Sequence, residues 1–282
     1  MMLPPFLLEP VRVERVAIAI ADLPPDLEGC KIVQLSDLHY DGQSLEDGTL
    51  AQAIALVNAE NPDLIALTGD YISDDPAPMI ALAAHLRELK SRCGVVASLG
   101  NHDNQGLAQR QAVIDALESA GITVLWNAIA YPLGPGLAVV GLADFWSREF
   151  KPQPVFATLP PGLPRLVLSH NPDSAAQLQS CRIDLQLAGH THGGQIVLPS
   201  GETLLENLLR WQRQLSLPSH QFVNNFAHTI HHWEWVQGHH WLGRNQLYVN
   251  RGLGSYFPGR VNCPPEITVL TLTAQYSSSQ DC

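Results

Sequence analysis

The segment Gly189-His190-Thr191-His192-Gly193-Gly194-Gln195 places two histidines one residue apart between glycines. In an extended segment, side chains at i and i+2 point the same way, so His190 and His192 can converge on one point. A neutral imidazole is a common metal ligand, and the glycines let the chain turn and leave room above the rings. Upstream, Asp37 with His39, Asp70, Asn101 with His102, and His170 offer further donors for a hard or borderline cation. Carboxylate, imidazole and amide oxygen together suit zinc, manganese or iron, and the lack of a CxxC pair argues against a thiolate site. Taken singly, Asp70 and Asn101 read as turn residues and His170 as a loop histidine. Their shared placement is what points to chemistry.

That placement is at the ends of apolar runs. Lys31–Leu35 reads as a strand and ends at Asp37 and His39; Asp63–Leu67 ends at Asp70; Val95–Leu99 ends at Asn101 and His102. Arg165–Leu168 ends at His170, and Ile183–Ala188 ends at His190 and His192. Helical spacing over Thr49–Glu60, Pro78–Ser91 and Leu107–Ala120 alternates with the first of these strands. Further strands are expected at Val11–Ile20, Ile122–Leu125, Leu137–Leu142, Ile196–Leu198, Leu247–Asn250 and Ile267–Leu272, with a short helix after Pro172. Strands alternating with helices imply a layered α/β fold, in which ligands sit beyond the carboxyl ends of the strands. Residues 204–245 show little clear period and hold Trp211, Trp233, Trp235 and Trp241 with six histidines. They read as an irregular covering insertion, with a lid over the site as the alternative.

The 282 residues are 45% hydrophobic, enough for a sizeable core, and one domain is the simpler expectation. A formal net charge of -11 argues against a nucleic-acid surface. The five scattered cysteines do not form a disulfide framework and fit a reducing compartment. The N-terminal run Met1–Leu8 is short, broken by proline and without a basic start, so no signal peptide or membrane span is expected. The expected location is the cytoplasm, either free or peripheral to a membrane.

The ordered set Asp37-x-His39, Gly69-Asp70, Gly100-Asn101-His102-Asp103, His170 and Gly189-His190-x-His192 resembles the calcineurin-like metallophosphoesterase superfamily over about residues 30–273. The resemblance implies a four-layer α/β/β/α sandwich with two central mixed sheets. It implies two divalent metal ions: Asp37, His39 and His192 on one, His170, His190 and Asn101 on the other, and Asp70 bridging. It also implies His102 as general acid, with Asp103 or Asp74 to orient it, and attack by metal-activated hydroxide. Two such ions keep the site positive enough to hold a phosphate on an acidic protein. The segments Gly189–Gln195, Tyr248–Gly254 and Pro265–Thr268 look like a bacterial phosphodiesterase branch. That branch has relatives acting on UDP-2,3-diacylglucosamine, so a small or lipid-linked phosphoester substrate is implied. A nuclease of the same superfamily is disfavoured by the charge, and a non-catalytic metal-binding module by the completeness of the set.

Overall fold

The computed structural model describes residues 9–215, 230–257 and 259–275. The chain runs β1 (Arg12–Ile20), β2 (Lys31–Leu35), α1 (Asp47–Ala59), β3 (Leu64–Leu67), α2 (Met79–Leu86), β4 (Val95–Ala97) and α3 (Leu107–Ser119). It continues through β5 (Thr123–Val124), β6 (Ala128–Ala130), β7 (Ala138–Gly141), α4 (Pro152–Phe156), β8 (Arg165–Leu168) and α5 (Ser174–Leu178). The last part holds β9 (Leu185–Ala188), α6 (Leu204–Leu215), β10 (Gly238–Leu242), β11 (Asn245–Val249) and β12 (Glu266–Ala274).

Two 6-stranded sheets result, one ordered β1-β12-β2-β3-β4-β5 and the other β10-β11-β9-β8-β7-β6. Both are mixed: β2, β3, β4 and β5 run parallel, as do β7, β8, β9 and β11, while β12 pairs antiparallel with β2. Strand alternation sorts the side chains into layers. Ile32, Leu64, Val96 and Leu270 from the first sheet meet Val139, Leu166, Leu185 and Leu187 from the second in one buried cluster between the sheets. Their neighbours Val33, Leu35, Ile65 and Leu67 face outward under Leu50, Ile54 and Val57 of α1, Leu82 and Leu86 of α2, and Val113 and Leu117 of α3. On the far side, Ala138, Val140 and Val167 pack under Phe156 of α4 and Leu178 of α5. Each large aliphatic side chain buried this way contributes about 1.5–3 kcal/mol of transfer free energy. The layers are therefore α/β/β/α, as the resemblance implies.

One polar side chain crosses the apolar seam. Gln34 shares the inward face of β2 with Ile32, and its Nε2 donates to Thr68 Oγ1 at 3.0 Å and to the Ala188 carbonyl of β9 at 2.9 Å. This contact lies at the carboxyl ends of β2, β3 and β9, where the two sheets meet beside the candidate ligands.

The stretch expected to be irregular, 204–245, is partly regular where it is described. Leu204, Leu205, Leu208 and Leu209 lie on successive turns of α6, and Arg210 on the same helix pairs with Glu202 at 2.8 Å. β10 forms a hairpin with β11 and takes the edge of the second sheet. Trp235 is buried against Ala175, Ala188, Leu247 and Val249. Ile196 and Val197 make only isolated bridges, to Val261 and Thr203, and the strand expected there does not form. α2 is also shorter than its sequence period suggests, stopping at Leu86. Among the described residues, no helix is long and apolar enough to cross a membrane.

Candidate metal centre

Five short loops carry the chemistry, each leaving the carboxyl end of a parallel strand. The loops after β2 and β3 run side by side, with Asp37 N donating to the Gly69 carbonyl at 2.9 Å and His39 N to the Asp70 carbonyl at 3.0 Å. Gly189 N donates to the His170 carbonyl at 2.9 Å, joining the loops after β8 and β9. The backbone at Asp37, His39, Asp70, His190 and His192 is left-handed, with φ of 50°, 42°, 55°, 71° and 51°. Non-glycine residues rarely adopt this conformation unless their surroundings impose it, and such residues cluster at functional sites. Two glycines admit the close approach of these loops. A Cβ on Gly100 would lie 2.1 Å from Asp70 Oδ1, and one on Gly189 would lie 2.1 Å from Asp37 Oδ2.

The side chains gather into two groups. Asp37, His39 and His192 offer donor atoms all within 4.8 Å of one another, and so do Asp70, His170 and His190. Asp70 reaches both: its Oδ2 is 3.0 Å from His170 Nε2 and 3.6 Å from His39 Nε2. The Asn101 Oδ1 is buried without a hydrogen-bond partner. Of the set the resemblance implies, the structure brings Asp37, His39 and His192 together in one group and Asp70, His170 and His190 in the other. The remaining histidines of the 204–245 stretch form no such group among the described residues; His220 and His228 lie outside them.

The electrostatics fit cations. His39 Nε2 and His192 Nε2 face each other at 3.1 Å beside Asp37. Burial pushes His39 down to about 3 and holds His192 well below its ordinary value, so both rings are neutral and present lone pairs. Burial raises Asp37 to about 6. Burial also opposes the charge on Asp70, yet His170 and His39 hold that carboxyl well below the usual range. His170 donates through Nδ1 to the Thr68 carbonyl at 2.7 Å, which turns Nε2 toward Asp70. Holding the far ring nitrogen in this way is how proteins orient a ligating histidine. Facing neutral imidazoles, two buried carboxylates and an orphaned amide oxygen make a donor set that two divalent ions would satisfy.

The family model for the calcineurin-like phosphoesterases matches residues 30–194, which span all the strand-end positions above. The chain belongs to this family. It is 34% identical to the phosphodiesterase YaeI of Escherichia coli K12 over 246 residues, covering 86% of this chain and 82% of that protein. It is 33% identical to the uncharacterized metallophosphoesterase YkuE of Bacillus subtilis 168 over 276 residues, covering 94% and 87%. The UDP-2,3-diacylglucosamine pyrophosphatase LpxG of Chlamydia muridarum is 28% identical over 292 residues, covering 86% and 84%. The chain is accordingly a metal-dependent phosphoester hydrolase.

In this phosphoesterase, the ring of His102 stands edge-on to His39, 5.0 Å between centroids, and lines the cleft over the two groups. Its Nδ1 donates to the Ser73 carbonyl, so Nε2 is the nitrogen left for the cleft. The expected orienting partners fare differently. Asp74 lies 3.9 Å from Nδ1 with an exposed side chain. Asp103 makes no hydrogen bond or ion pair with the ring among the described residues: its carboxylate accepts the backbone N–H of Asp70 at 2.7 Å, Tyr71 at 2.9 Å and Gly100 at 2.8 Å, and more weakly that of Ile72 at 3.5 Å. Asp103 therefore clamps the Asp70 and Gly100 loops together, and the Ser73 carbonyl orients the histidine.

Sequence reasoning also missed the loop between β11 and β12. Arg260 is 1% exposed, and its guanidinium donates to the carbonyls of His192 at 3.2 Å, Arg251 at 2.7 Å and Gly254 at 2.6 Å. That staple holds the loop against Asp37, where Gly254 N donates to the Asp37 carbonyl at 2.7 Å. The loop presents Tyr256 to the cleft. The glycines at 252 and 254 signalled a special backbone, but nothing in the sequence signalled which ligand it touches.

Proposed function

We propose that this phosphoesterase hydrolyses a phosphodiester or pyrophosphate bond in an amphiphilic, lipid-linked substrate. Asp37, His39 and His192 would hold one divalent ion, Asn101, His170 and His190 the other, and Asp70 both. The donor set suits manganese, zinc or iron. Bound there, such ions supply charge neutralisation for the phosphoryl oxygens and an acidified water as nucleophile. His102, fixed through Nδ1 by Ser73, directs Nε2 to where a leaving oxygen needs a proton.

The observation that carries the amphiphilic reading is the cleft itself. It has room of about 230 Å³, with Asp70, Asn101, His102, His190 and His192 at one pole. The other pole is Leu204, Leu205 and Leu208 of α6 with Ile230, Trp233 and Phe257. Phe257 is 74% exposed and Leu208 is 38% exposed, so this apolar wall continues to the surface. A polar pole beside an apolar wall matches a phosphorylated head with a hydrocarbon chain. The tryptophans of 204–245 divide: Trp233 lines the cleft, whereas Trp235 is core packing and the exposed Trp211 and Trp241 lie outside the lining.

The test combines elemental analysis with turnover of two soluble diesters. Active protein is expected to hold close to two transition-metal ions per chain. His102→Ala should keep them and lower turnover roughly 10²–10⁴-fold for an alkoxide leaving group. For a nitrophenyl leaving group, which needs little protonation, the loss should be much smaller. Equal losses on both diesters, or full activity with a single ion, would remove the roles assigned here.

A further inference from the structure

We infer that Tyr256 is a substrate-binding residue whose hydroxyl donates its proton to a non-bridging oxygen of the bound phosphoryl group. This rests on the reading of the metal centre given above. The Tyr256 oxygen lies 2.5 Å from His39 Nδ1 and 3.2 Å from His39 Nε2. Its ring centroid is 4.7 Å from that of His39, 5.2 Å from that of His192 and 6.4 Å from that of His102. Tyr256 thus lines the cleft beside the first ligand group, with the ring of His102 also near it.

The direction of its hydrogen bonds follows from His39. That ring turns Nε2 toward Asp70 at 3.6 Å and His192 at 3.1 Å. With Nε2 reserved for a cation, the one proton of the neutral ring sits on Nδ1. The phenol oxygen at Nδ1 is then an acceptor, and a hydroxyl that accepts still has its own O–H to give. Its neighbours on that side are the Ser73 hydroxyl and the open cleft. An anionic phosphoryl oxygen in the cleft is a stronger acceptor than a serine hydroxyl.

The residue is also held in place before any ligand arrives. Tyr256 N donates to Gln195 Oε1 at 2.8 Å, and Gln195, the last residue of the Gly189–Gln195 segment, has a left-handed φ of 55°. On the preceding residue, Ser255 Oγ accepts from Arg260 Nε at 2.9 Å. A donor fixed in advance loses little freedom on binding, so the bond it makes is reflected in affinity.

The variant that tests this is Tyr256→Phe, which keeps the ring against His39 and removes only the oxygen. Metal-loaded protein would be titrated with inorganic phosphate by calorimetry, with cation content checked by elemental analysis and kcat/KM measured on a soluble diester. Both phosphate affinity and kcat/KM should fall roughly tenfold or more, the size of a hydrogen bond to a charged group, with cation content unchanged. Phosphate affinity equal to wild type overturns the inference. Loss of cations in step with phosphate also overturns it, since Tyr256 would then serve only to hold His39. Wild-type protein that holds two ions yet neither binds phosphate nor cleaves diester overturns the reading of the whole site, a result distinct from either.

Discussion

Asp103 gives the sharpest separation between two ways the site can be built. If its role is the backbone clamp, Asp103→Ala leaves the N–H groups of Asp70, Tyr71 and Gly100 buried without an acceptor. Each such group costs about 1–3 kcal/mol. Even at the low end the sum is roughly 3 kcal/mol, a large share of the roughly 5–15 kcal/mol that holds a typical domain together. Asp103→Asn is milder. Oδ2 accepts from Asp70 and Gly100, so the amide oxygen can stay there while its NH2 meets the Tyr71 N–H, donor against donor. The bond from Tyr71 is lost, at about 1–3 kcal/mol, together with the longer 3.5 Å contact from Ile72 N. Because Asp103 also pins the left-handed Asp70 peptide, the weakening should extend to cation affinity. Urea denaturation of the metal-free variants, paired with cation titration, measures both. Wild-type denaturation midpoints together with a displaced pH–rate profile would show that Asp103 acts through His102 instead, and the clamp would be refuted.

In the metal-free protein burial disfavours a charge on His170, but Asp70 and Asp37 override it and raise the ring to about 10. The resulting ion pair stabilises the metal-free fold fully below the ordinary histidine value of 6.5, and its contribution is lost as pH rises through about 10. A cation binding beside Asp70 must expel that proton, so calorimetry in buffers of different ionisation heat should find about one proton released per chain between those values. No release in that window would remove the ion pair. At the apolar wall, Leu208→Ser should raise KM for an acylated phosphodiester roughly ten- to a hundredfold, from about 1.5–3 kcal/mol for one buried side chain, and spare a soluble one; adding Phe257→Ser should raise it further. A matching loss on both substrates, with a lowered Tm, would mean the two side chains serve packing alone.

The part of the site legible in the sequence is the part that depends on local order. Each candidate ligand follows a short apolar run, and parallel strands buried on both faces read as such runs. What was illegible depends on distant partners. Asp103 stands next to His102 in sequence, which suggested a pair, yet it faces backbone groups across the Asp70 loop. Tyr256 meets His39 from 217 residues away. β6 and α4 went unseen because three and five residues are too few to show a period, and α4 opens on a proline. α6 was hidden because its apolar face is two turns long inside a stretch dominated by histidine and tryptophan. β10 is an edge strand with little alternation to read, since most of its residues are only half-buried.

Each ligand group draws from both sheets: Asp37 and His39 follow β2 while His192 follows β9, and Asp70 follows β3 while His170 and His190 follow β8 and β9. An ion in either position would therefore tie the two halves of the sandwich together at their open edge. His39 and His192 are 153 residues apart, so the tie closes a very long loop. On chain entropy alone, a covalent link closing a loop of about 100 residues is worth about 4–5 kcal/mol. A coordination bond that exchanges with the surroundings makes the same closure reversible and sets its strength by metal concentration. Metal supply would then govern how much folded protein persists as well as how fast it works, and scarcity would first loosen the seam beside the two ligand groups.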